Sequence, residues 1–235
     1  MSARSESRAE TARLARVLGV EDPQALEFLL SVPAGELREY REAVTDLLYD
    51  DQAELLARTA EAARLLPART LAAIGERALG PLICARLTGL LDPRRAAEIS
   101  EHFTLDFLAR LAAELDPRRA VAVVSAIATD TVVAISVAMA ANGEHVAMGR
   151  FVAYLDESAL SLCIGALGDE DLLLVAFVME GQQRLATVFR MVGAERSTRI
   201  LASGRAKGLL EEAEHVIAHL PGASSANETA EGTSR

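Results

Sequence analysis

Apolar positions in this chain recur at helical spacing in short bursts, and the bursts share an opening signal. Residues 91–96 read LDPRRA, residues 115–120 read LDPRRA again, and residues 155–160 return as LDESAL. An Asp followed at once by Pro opens a helix. The carboxylate caps orphan N–H groups, and Pro takes the first helical position, where its missing N–H costs nothing. From Pro67 the pattern runs in units roughly a dozen residues long: PARTLAAIGERAL, GPLICARLTGLL, DPRRAAEISEHF, TLDFLARLAAEL, DPRRAVAVVSAI. A helix of two or three turns is unstable alone in water, so each unit must bury its apolar stripe on its neighbours. The pattern predicts an all-α chain, a stacked array of short helices with no β-sheet.

The same reading divides the chain. Residues 1–8 are polar and residues 222–235 (GASSANETAEGTSR) have the composition of a disordered tail, so both ends are expected to be disordered. Residues 9–64 form an N-terminal helical segment. It comprises a first helix ending at Gly19, a second opened by Asp22-Pro23 and stopped before Pro33, and a charged stretch with a break near Tyr49-Asp50-Asp51. Residues 65–221 are the α-helical repeat domain. Within it, 115–154 and 155–194 align as two three-helix units. Leu115 matches Leu155, Asp116 matches Asp156, Met139 matches Met179 and, after a two-residue shift, Gly143 matches Gly181 and Phe151 matches Phe189. The central helix of each unit, TVVAISVAMA or DLLLVAFVM, is apolar nearly all round, which places it inside other helices or against a second chain. With Met139, Met148, Met179 and Met191, these helices would alternatively line a pocket for a small molecule or lipid.

Composition narrows the function. Apolar residues make up 51% of the 235, enough for a substantial core, and a net charge of −10 argues against nucleic acid as partner. The longest uncharged run, Thr131–Gly143, falls short of the ~20 residues that span a bilayer. Cys84 and Cys163 lie among apolar neighbours with no metal or redox spacing. With no apolar secretion signal at the N-terminus, they lead to the expectation of a cytoplasmic protein.

Candidate chemistry is sparse. In EEAEHVIAH, Glu211, His215 and His219 fall on one helix face, a spacing that can chelate Zn²⁺, although the run also reads as an amphipathic surface helix. Asp169, Glu170 and Asp171 gather three carboxylates that suit a hard cation, or equally the positive end of a helix dipole. No nucleophile elbow, phosphate loop or Cys–His pair is present, so no catalytic residue and no cofactor is expected. Arg94, Arg95, Arg118 and Arg119 follow the Asp-Pro caps as two equivalent pairs and are the candidate partner-binding residues. Together these features read as a non-catalytic interaction, scaffold or regulatory module that binds a protein partner or forms a homo-oligomer.

The segment LDPRRAAEISEHFTLDFLARLAAELDPRRAVAVVSAI, residues 91–127, with looser continuation from about 67 to 167, resembles the cytosolic N-terminal domain of MgtE-type magnesium transporters. The resemblance implies a right-handed, armadillo-like superhelix and, for function, a Mg²⁺-sensing regulatory role. It covers the helical domain alone, and the spacing lengthens after residue 128, so transport is not carried over.

Overall fold

The computed structural model describes residues 3–20, 22–50, 53–179, 182–206, 208–209, 213 and 216–217. Among them are fourteen α-helices and no strand. The repeated opening signal is a set of real caps. Asp92 accepts from the Arg94 and Arg95 amides (3.0 and 3.2 Å), Asp116 from the Arg118 amide (3.1 Å), and Asp156 from the Ala159 amide (2.8 Å).

Helix α1 (Ala3–Leu18) begins ahead of residue 9, where the sequence places its start. Ser7 is buried and its hydroxyl donates to the Val32 carbonyl (2.7 Å), which ties part of the polar 1–8 segment into the fold; residues 222–235 lie outside the described residues. Asp22 caps a 3₁₀ segment, Pro23–Ser31, which leads into α2 (Ala34–Asp50) and α3 (Ala53–Ala63). Helix α4 (Ala68–Ile74) runs through a π-helical turn, Gly75–Leu79, into α5 (Gly80–Thr88). Gly80 marks that junction with φ +75°, a conformation that favours glycine. Then come α6 (Pro93–Ser100), α7 (Leu105–Glu114) and α8 (Pro117–Val124). Next are α9 (Thr129–Ala141), the longer of these, α10 (His145–Phe151) and α11 (Glu157–Ala166). The described helices end with α12 (Asp169–Val178), α13 (Gln182–Val192) and α14 (Ala194–Ala206).

From α3 onward, packing links most helices to the one two places along. Helices α3, α5, α7, α9, α11 and α13 form one continuous stack. A second stack comes in two pieces, α4–α6–α8 and α10–α12–α14, and α1 packs on α2, α10 and α12. The densest core lies in the second half around Leu173, Ile200 and Val188, all buried, while smaller clusters around Phe107 and Ile99 serve the first half.

The two central apolar helices, equivalent in sequence, differ in burial. Helix α12 buries Leu172, Leu173 and Val175–Val178, whereas α9 buries only Met139 and leaves Val137 42% exposed. The reason is position: α12 has α1, α10 and α14 packed around it, whereas α9 lies between α7 and α11 with only a lighter contact to α10.

Helices α10 and α12 meet at Gly149. A Cβ there would lie 2.7 Å from Val178 Cγ2 and 3.0 Å from the Val178 carbonyl oxygen, which is backbone and cannot swing aside. Gly149→Ala is expected to lower stability by about 1–3 kcal/mol through overpacking, read as a lower urea midpoint at unchanged slope.

Candidate functional site

A cavity of about 180 Å³ follows the seam where the two stacks meet. Its wall takes residues from every helix from α3 to α13, among them Leu71, Cys84, Leu111, Met139, Leu160 and Val188. At about 24 cal/mol per Å³, a core void of this volume costs on the order of 4 kcal/mol. That is a large share of the roughly 5–15 kcal/mol by which domains are stable. At one end the π-helical turn comes in close: a Cβ on Gly75 would lie 2.9 Å from Phe103 and 3.1 Å from Cys84 Sγ. Leu79, at the end of the same turn, is both a wall residue and 37% exposed.

Among the described residues the wall carries no charged side chain. Its three hydroxyls all donate to carbonyls of their own helices: Thr88 to Cys84 (2.8 Å), Ser100 to Ala97 (2.6 Å) and Ser136 to Val132 (2.9 Å). Both cysteines line it as free thiols. Burial pushes the Cys84 thiol up to about 11, and burial also raises that of Cys163 against the opposing contact of Ser136 Oγ at 3.4 Å. Neutral thiols make poor nucleophiles, so the cavity is built for apolar contact. Of the four methionines that the sequence placed in a core or pocket, Met139, Met148 and Met179 line the cavity, and Met191 packs against the core behind it.

The candidate arginine pairs differ between the two repeats. Arg94 is exposed, while Arg95 donates to the Leu66 carbonyl and pairs with Glu98 (2.6 Å). Arg118 and Arg119 reach across to α2, where both pair with Asp46 (3.1 and 3.2 Å), and both also face the buried Asp116. The second pair thus fastens α2 to the start of α8.

The acidic run at α12 is engaged in the same way. Asp169 accepts from Arg199 Nε (2.7 Å) and Arg196 Nε (2.8 Å), contacts that hold its carboxyl below the usual range. Asp171 lies 2.9 Å from His145 Nε2. Among the described residues no group of three or more His, Cys, Asp or Glu is placed to hold a metal ion. Glu211, His215 and His219 lie outside the described residues.

Sequence reasoning did not find a second use of arginine. Three side chains cap the carbonyls left over at helix C-termini, where a guanidinium satisfies both the acceptors and the negative end of the dipole. Arg13 donates to Val178 and Met179 at the end of α12 (2.9 and 3.0 Å), Arg184 to Val152 and Leu155 after α10, and Arg196 to Ile164 and Leu167 after α11. The only sequence signal is an Arg some 30 residues from its acceptor in the latter two cases, and 165 in the first.

No helix among the described residues is long and apolar enough to cross a membrane. Comparison of the chain with protein-family models, with curated proteins and with solved structures finds no match.

Proposed function

We propose that this chain is a non-catalytic cytoplasmic interaction module that pairs with a second copy of itself through the outer face of α9 and α11. The observation that carries the reading is the exposure of α9, an all-round apolar helix with a single buried residue, next to α11, whose Leu162 is 50% exposed. Neither Thr131–Gly143 nor Ser158–Gly168 contains a charge. In a chain of net charge −10, such a face is where two copies can approach without like-charge repulsion, and a two-fold contact brings the same patch to both sides. The packing of alternate helices from α3 onward supports an armadillo-like solenoid, the architecture that the resemblance of the 91–127 segment implies.

Light scattering on the eluting protein is expected to give twice the 25.0 kDa chain mass. Val137→Glu and Leu162→Glu each place a carboxylate at the contact and are expected to return the mass to one chain with helicity unchanged. A wild-type protein that elutes as a single chain at tens of micromolar would defeat the reading.

A further inference from the structure

We infer that the outer face of α4 docks an acidic amphipathic helix of a protein partner, in the place along the stack that α2 does not take. The inference is independent of self-association, because it uses neither α9 nor α11.

The order of packing leaves this face open. From α3 onward most helices lie on the one two places along, so α2 would be the helix to cover α4. Helix α2 packs instead on α1, and its Asp46 is fastened to Arg118 and Arg119 at the start of α8. Among the described residues α4 packs on α6 and on the π-helical turn, and no other helix lies on it to a comparable extent. The end of a helical stack ordinarily turns a polar face to water. Here Ile74 is 39% exposed with Ala73 exposed beside it, and Leu65, in the turn that leads into α4, is 87% exposed, more than any other large apolar side chain among the described residues.

Charge decides what covers it. Arg64, Arg69 and Arg77 are exposed and have no hydrogen-bond or ion-pair partner among the described residues. Arginines elsewhere are held by carboxylates or helix ends, as Arg16, Arg118, Arg184 and Arg196 are. From Ala62 to Leu91 the sole acid is Glu76, and it is committed to the start of α7, accepting from the Thr104 amide (2.6 Å) and hydroxyl (2.8 Å). Glu61, one turn before Arg64, is the nearest acid ahead of that stretch. Arg95 donates to the Leu66 carbonyl and so brings its exposed neighbour Arg94 to the same corner. Arg69 and Arg77 are separated by roughly 12 Å along the helix, the spacing of carboxylates two turns apart on a facing helix. Guanidiniums bind carboxylates at two points, and leucine-sized side chains between those acids would pack on Leu65 and Ile74. An anionic membrane fits less well, because it recruits clusters of about four to eight cations and repels a chain of net charge −10. A partner helix meets the local face alone, since charges beyond about 8–10 Å are screened.

The test titrates the purified full chain into a fluorescein-labelled synthetic helix, the peptide EELLEELLEELLEE, and reads its anisotropy. One saturable site per chain is expected, and the same peptide with every Leu replaced by Gln is expected to bind at least about tenfold more weakly. The double variant Arg69→Glu, Arg77→Glu is expected to weaken the Leu-bearing peptide by at least about tenfold, and Leu65→Ser by about threefold or more. Helicity and thermal midpoint should be unchanged in both, because the three side chains are exposed. Val137→Glu is expected to bind as the wild type does, which separates this face from α9 and α11. Absence of saturable binding, full affinity in the folded double variant, or equal binding of the Gln peptide would overturn the inference. Two further results would do the same. Vesicles of phosphatidylglycerol and phosphatidylcholine that bind the wild type and not the double variant, with no peptide binding, would assign the face to a membrane. Loss of the two-chain mass in the double variant would assign it to a second copy.

Discussion

Replacing Glu10 with Ala is expected to cost about 3–5 kcal/mol, the toll of removing one partner from a buried ion cluster. Glu10 on α1 is 1% exposed and is shared by three guanidiniums: Arg13, Arg38 Nε at 3.1 Å and Arg41 Nε at 3.3 Å. Arg13 and Arg41 are themselves nearly buried, and Arg13 also caps the end of α12. Removing the carboxylate takes from Arg13 on α1 and Arg41 on α2 the buried counter-charge they share. Loosening should therefore spread from the α1–α2 pair to α12, the centre of the largest core cluster. The check is urea unfolding of Glu10→Ala beside Glu10→Gln, with amide exchange read in α12. A midpoint loss below about 1 kcal/mol, the level of exposed ion pairs, would show that the cluster is solvated and carries little.

A matched pair of substitutions should give the second large effect. Asp92 and Asp116 open identical LDPRRA motifs, yet Asp92 is exposed and Asp116 is 2% exposed beneath α2. Besides its cap, Asp116 accepts from the Arg118 side chain (3.1 and 3.3 Å), with Arg119 and Arg150 at 3.8 and 3.7 Å. Asp92→Ala is expected to cost about 1 kcal/mol, a lost cap and little more. Asp116→Ala is expected to cost about 2–3 kcal/mol, because a buried cap and its charge-assisted bonds to Arg118 are lost while Arg118 and Arg119 keep Asp46. Urea midpoints of the two variants decide it, and equal losses would mean that the burial of the second motif has no energetic consequence.

The proposed self-association draws on one property of α9. Its inner side, with Val132, Ile135, Ser136 and Met139, faces the seam, and Val137 faces outward. A helix that is apolar on every side can line the core and offer a contact face at once, which a conventional amphipathic helix cannot.

The local events were legible in the residues. Caps at Asp92, Asp116 and Asp156, the short helices between them and the inward placement of Met139, Met148 and Met179 all follow from rules acting within a few residues. The rest was decided by contacts across long separations. Nothing in TVVAISVAMA and DLLLVAFVM distinguishes the half-exposed helix from the buried one, because burial depends on which helices return to cover each, and α1 packs on α10 and α12. Nothing in two copies of LDPRRA shows that Asp46, more than seventy residues away from Arg118, would claim the second arginine pair. The cavity likewise belongs to no segment. Each helix supplies an apolar stripe of ordinary composition, and only the fit of one stack against the other determines whether those stripes close into solid core or leave a seam between them.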